Sequence, residues 1–82
     1  MNDHLLHLTI ASVAKPLFKG EVRSVTLPGV EGVMTLMAHH EAFVTILKKG
    51  VIVVREENGA IQEFPIEHGA LEVADNHVTV LL

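Results

Sequence analysis

Residues 21–50, EVRSVTLPGVEGVMTLMAHHEAFVTILKKG, decide the fold. The first part alternates, which puts Val25 and Leu27 on one face of a strand. Pro28-Gly29-Val30-Glu31-Gly32 then predicts a turn, because Pro presets φ and the two glycines permit positive φ. Val33-Met34-Thr35-Leu36-Met37 reads as a second strand, ended by the polar break His39-His40-Glu41. Phe43, Thr45 and Leu47 form a third period-two run before Lys48-Lys49-Gly50. A helical stripe through Phe43, Val44 and Leu47 competes with this reading. The β-branched Val44, Thr45 and Ile46 count against it.

Ahead of this stretch, Leu6, Leu8 and Ile10 alternate with Leu5, His7 and Thr9 in a first strand. Lys15-Pro16 interrupts the segment after Ser12, and Leu17-Phe18 followed by Lys19-Gly20 predicts a brief edge strand. On the other side, Val51-Ile52-Val53-Val54-Arg55 is a continuous β-branched run, the signature of a strand buried on both faces. Asn58-Gly59 predicts a tight hairpin with a type I′ turn, which needs positive φ twice. A return strand carries Phe64 and Ile66. Gly69 opens the next strand, with Leu71 and Val73 inward. Asp75-Asn76 turns the chain into a last strand through Val78, Val80 and Leu82.

Turn signals recur roughly every 8–12 residues, the spacing of an all-β sandwich or barrel. The expectation is a single domain over residues 1–82: a two-layer β-sandwich of about eight to ten short, mostly antiparallel strands. Its core should hold Leu6, Leu8, Ile10, Phe18, Val25, Leu27, Ile52, Val54, Leu71, Val73, Val78 and Val80.

Composition narrows the function. Eighty-two residues make a thin core, burying roughly 60–65% of the unfolded surface. The charge is −4, with six basic residues scattered rather than striped and aromatics at only 4%. A nucleic-acid partner is therefore not expected. With no cysteine there are no disulfides, thiolate zinc sites or cysteine nucleophiles. No apolar run approaches the roughly 18–20 residues of a membrane-spanning helix, and Met1-Asn2-Asp3-His4 lacks the basic start of a secretory signal.

Six histidines raise the question of a metal. His4 and His7 point to opposite faces of an extended chain. His39 and His40 converge with Glu41 only if the loop bends, and His68 or His77 would have to complete a set. Surface histidines are the simpler expectation, and no metal is expected. The ten carboxylates, Asp3 among them, sit beside turns or on polar faces rather than as an acid–base pair in a cleft. Gly29 and Gly32 lack the Lys-Ser/Thr ending of a phosphate loop. No catalytic residue and no cofactor is expected.

An ordered set of residues carries a resemblance. It comprises Leu17-Phe18-Lys19-Gly20-Glu21-Val22, Leu27-Pro28-Gly29-Val30-Glu31-Gly32, His40, Thr45, Leu47-Lys48-Lys49-Gly50 and Gly69-Ala70-Leu71-Glu72-Val73, then Asn76-His77-Val78-Thr79-Val80-Leu81. Together these resemble the N-terminal β-sandwich of the epsilon subunit of F-type ATP synthases, called delta in mitochondria. The family's acidic residue, hydrophobic residue and Gly after the Glu-Gly turn are Val33, Met34 and Thr35 here. Its Pro-Gly-His-Ala-Pro is Ala38-His39-His40-Glu41-Ala42, and its Gly-Gly is His68-Gly69.

The resemblance implies a non-catalytic rotor subunit. It would grip the gamma subunit through Ser12, His40 and Thr45 and rest on the c ring through Glu31, Gly32, Val33 and Met34. The implied location is peripheral, on the cytoplasmic face of a bacterial plasma membrane, or the matrix or stroma side in an organelle. The family's C-terminal helical hairpin would begin after Leu82 and is expected to be absent. Two other readings remain open at this point: a free-standing adaptor, and a small metal enzyme built on His39, His40 and Glu41.

Overall fold

The computed structural model describes residues 4–82. Asp3, counted above among the carboxylates, falls outside the described residues. Among those residues the chain forms nine strands and no helix. They are β1 (Leu6–Ala11), β2 (Pro16–Val22), β3 (Ser24–Gly29), β4 (Gly32–Met37), β5 (Phe43–Leu47), β6 (Gly50–Arg55), β7 (Ile61–Ile66), β8 (Gly69–Ala74) and β9 (His77–Leu81). One hydrogen-bonded path runs β2-β1-β9-β8-β5-β3-β6-β7, with β4 on the other side of β3. It folds back on itself into two layers, β2-β1-β9-β8-β5 and β4-β3-β6-β7. Pairing is antiparallel except between β1 and β9, which run parallel from His7↔His77 to Ala11↔Leu81.

The chain changes layer four times, after β2, β4, β5 and β7, and backbone hydrogen bonds fix two of these crossings. Arg23 alone separates β2 from β3, and its N–H donates to the Arg55 carbonyl at 2.8 Å. Lys48-Lys49 separates β5 from β6, and the Lys48 N–H donates to the Pro28 carbonyl at 2.9 Å. The registers Leu6↔Val22 and Ala74↔His77 put Arg23 at the end of the sandwich that holds Asp75-Asn76. Leu47↔Gly69 and Gly50↔Ile66 put Lys48-Lys49 at the opposite end.

Alternation delivers the core between the layers. Every expected core residue is buried except Phe18, which is half-buried and packs against the cluster from the edge strand β2. Leu5, Val22, Leu36, Leu47 and Ile66 are also buried. Each buried Leu or Ile contributes about 1.5–3 kcal/mol relative to exposure.

Two expectations are corrected. The run 51–55 is buried on one face only: Ile52 and Val54 are inward, while Val51 is 45% exposed. The reason is that β6 belongs to an antiparallel layer whose outer face meets solvent. At Asn58-Gly59 only the glycine has positive φ, at 92°. Arg55↔Ile61 pairing leaves a longer loop, in which the Glu56 N–H donates to the Ala60 carbonyl and the Gly59 N–H to the Glu56 carbonyl. The two consecutive positive φ values occur instead at Asp75 (52°) and Asn76 (62°), between the paired Ala74 and His77.

Candidate interaction surfaces

The β3–β4 hairpin places the residues expected at the c ring. Gly29 pairs with Gly32, which leaves Val30-Glu31 as the loop. Only Gly32 uses positive φ, at 139°. Gly29 is needed for close approach: a Cβ there would meet the Met34 Cε and lie 2.8 Å from the Gly32 carbonyl oxygen. Val30, Glu31, Gly32 and Val33 are exposed, Val33 by 73%, while Met34 is half-buried against the core. The turn therefore presents mostly an apolar tip with one carboxylate.

Ser12 lies at this same end, in the β1–β2 loop. Its N–H and hydroxyl both donate to the Lys15 carbonyl, at 2.9 and 3.1 Å. His40 lies at the opposite end, between β4 and β5, with Nδ1 2.9 Å from the Glu41 carbonyl and its ring 5.2 Å from that of Phe43. Thr45 is half-buried and faces the interior with Phe43 and Leu47. It pairs with the buried Leu71. The structure thus does not bring Ser12, His40 and Thr45 together as one site; they mark two ends and the inner side of one layer.

What lies between those ends was not singled out in the sequence. Val44 (72% exposed) and Ile46 flank Thr45 and point outward. Registers Ile46↔Ala70, Ala70↔Leu81 and Ala11↔Leu81 align a row of apolar side chains across β5, β8, β9 and β1. Leu81 is 58% exposed. A shallow groove of about 270 Å³, lined by Val44, Ala70, Glu72, Thr79 and Leu81 among others, follows this row. The missed signal was the outward half of the same alternation that located the core.

Asn76 ties the His40 end together. Its Nδ2 donates to the Leu5 carbonyl at 2.8 Å and its Oδ1 accepts from the His39 N–H at 2.7 Å. Its own carbonyl accepts from the His7 N–H at 3.0 Å. His7 stacks on His77, with ring centroids 4.7 Å apart, and its Nε2 is 3.5 Å from Glu21. His4 lies 3.2 Å from Glu57. Among the described residues no three His, Asp or Glu side chains come together as a metal-binding group, so His39, His40 and Glu41 form no triad.

The family model described as ATP synthase, Delta/Epsilon chain, beta-sandwich domain matches residues 5–82. The ATP synthase epsilon chain of Sulfurimonas denitrificans is 36% identical over 77 residues, covering 94% of this chain and 59% of the relative. That of Leptospira borgpetersenii is 36% identical over 81 residues, covering 99% and 63%. The chain thus spans only part of the length of these relatives. Among solved structures, a chain of the Euglena gracilis mitochondrial ATP synthase (OSCP/F1/c-ring) superposes with a TM-score of 0.87 at 27% identity, covering 96% of this chain and 50% of that one. A chain of the Tetrahymena thermophila mitochondrial ATP synthase shares the fold, with a TM-score of 0.74 at 17% identity, covering 92% of this chain and 60% of that one. This chain belongs to the ATP synthase delta/epsilon chain β-sandwich family.

Proposed function

We propose that the chain is a non-catalytic central-stalk subunit of a rotary F-type ATP synthase, held between the gamma subunit and the ring of c subunits. The observation that carries the reading is the exposed apolar row Ile46-Ala70-Leu81-Ala11 on the outer face of the five-stranded layer. It runs beside Ser12 and on the layer that His40 caps. Gamma lies along this face, contacting Ser12 and His40 at its ends. Thr45 acts from below by fixing the outward direction of Val44 and Ile46.

The tip Glu31, Gly32, Val33 and Met34 rests on the c ring. An exposed ion pair at such a rim is worth about 0–1 kcal/mol and weakens with salt. Burying Val33 contributes roughly 1.5–3 kcal/mol, so this contact depends more on apolar packing than on charge. Membrane association is peripheral and comes through the complex. The subunit links rotation of the stalk to ion translocation without carrying out chemistry.

Copurification with gamma tests the assignment directly. His40→Cys introduces the chain's sole thiol and should crosslink to gamma in the assembled complex; labelling equally fast in free and assembled protein would count against the contact. Val44→Asp should abolish copurification while the isolated domain stays folded. Val33→Asp should weaken coupling between ATP hydrolysis and ion pumping. If coupling survives both Val33→Asp and Met34→Asp, the turn does not touch the ring.

A further inference from the structure

Three strands, β2, β4 and β7, pair with only one neighbour among the described residues, and two of them are guarded. β2 carries Pro16, Lys19 and Glu21, and its register with β1 is broken between Ile10 and Ala11. β7 carries Glu63 and Pro65. Charges, prolines and irregular register are the devices by which edge strands avoid pairing with other chains. β4, Gly32-Val33-Met34-Thr35-Leu36-Met37, has none of them. It bears no charge and no proline, and its register with β3 runs unbroken from Gly29↔Gly32 to Ser24↔Met37.

The backbone of β4 also faces the open side in a defined order. The Pro28 carbonyl accepts from the Lys48 N–H, so it points away from β4. Pro28↔Val33 is therefore a non-hydrogen-bonded pair, and by alternation so are Thr26↔Thr35 and Ser24↔Met37. Side chains approach more closely at such pairs, and the Thr26 and Thr35 hydroxyls do meet at 2.9 Å. It follows that the N–H and C=O groups of Val33, Thr35 and Met37 are the ones directed off the edge. Val33 and Met37, 73% and 59% exposed, stand on the same outer face as Thr35.

This edge is self-complementary, and we propose that β4 pairs antiparallel with β4 of a second copy of this chain, with Thr35 on the two-fold axis. In that register Thr35 faces Thr35 and Val33 faces Met37, so every outward N–H meets an outward C=O and the exposed apolar side chains cover each other. Two copies of net charge −4 repel, but β4 places no like charges opposite one another. Pairing through β7 would set Glu63 of each copy along the shared edge. A six-residue strand buries less than the roughly 1,200 Å² of a stable standard interface. The dimer is therefore concentration-dependent.

Self-pairing needs no rotor partner, so the isolated 82-residue chain is the sample. Sedimentation from micromolar to millimolar concentration should show a monomer–dimer equilibrium. In parallel, amide exchange at Val33, Thr35 and Met37 should slow as concentration rises. Thr35→Lys, which sets like charges on the axis, should weaken the dimer by about tenfold or more. Thr35→Pro removes an outward N–H that the monomer does not use and should act likewise. Ile61→Lys on β7 should change nothing, and circular dichroism checks that each variant remains folded. A monomer at every concentration overturns the proposal. So does a dimer indifferent to Thr35→Lys, or concentration-dependent protection at Val44, Ile46 and Leu81 instead, which would put the contact on the sheet face.

Discussion

The rings of Phe18 and Phe64 meet edge to face, with centroids 6.1 Å apart and planes at 72°. They belong to β2 and β7, the two strands furthest apart along the hydrogen-bonded path. No backbone bond joins those strands, so this aromatic contact closes the open side of the sandwich. Phe18→Leu and Phe64→Leu should each lower stability. A double-mutant cycle by urea denaturation should return a coupling of about 0.5–1.5 kcal/mol. Additive losses would mean the rings pack only against the core.

Asn76 holds a left-handed backbone and hydrogen-bonds to two separate segments through its side chain. Asn76→Ala removes both bonds, worth about 1 kcal/mol each, and adds roughly 1–2 kcal/mol of left-handed strain. A total loss of about 3 kcal/mol is expected in chemical unfolding. Asn76→Gly relieves the strain but not the lost bonds, so its cost should be distinctly smaller.

Exposure separates two residues of β4 by consequence, one on each face. Leu36→Ala empties a fully buried site and should cost about 2–5 kcal/mol. Val33→Asp lies on the surface and should change stability by less than about 0.5 kcal/mol. Thermal melts of both variants check this, and a large loss from Val33→Asp would mean that the outer face of β4 is covered.

Gly29→Ala tests the hairpin itself. The new methyl meets the flexible Met34 Cε and, more rigidly, the Gly32 carbonyl oxygen. A loss of roughly 1–3 kcal/mol, the usual cost of overpacking, is expected. Gly29→Ala combined with Met34→Ala should recover only the share that the side chain caused.

The strands were legible because period-two alternation is a local property, and it located the core from Leu6 to Val80. Which residues pair is not local. Leu36, Leu47 and Ile66 sit at strand positions that the sequence showed, but their burial depends on which layer covers them. Val22 is buried because the chain changes layer one residue later, at Arg23. Asn58-Gly59 misled because a tight turn also needs the strands to pair right up to it, and here pairing stops at Arg55↔Ile61. Thr45 lay on the expected strand, yet its direction was fixed by Leu71 across the ladder. The outward row through Ile46 and Leu81 required the register of four strands, which no single stretch encodes.

The changes of layer, those at Arg23 and at Lys48-Lys49 among them, have a mechanical consequence. Interlayer contacts are individually weak, about 0.1–0.2 kcal/mol per atom pair, and would let one sheet creep over the other under sideways load. Here any such slip must stretch covalent backbone at opposite ends of the block. A force applied at the tip of the β3–β4 hairpin therefore reaches the Asp75-Asn76 end as rigid-body displacement, with little absorbed as shear.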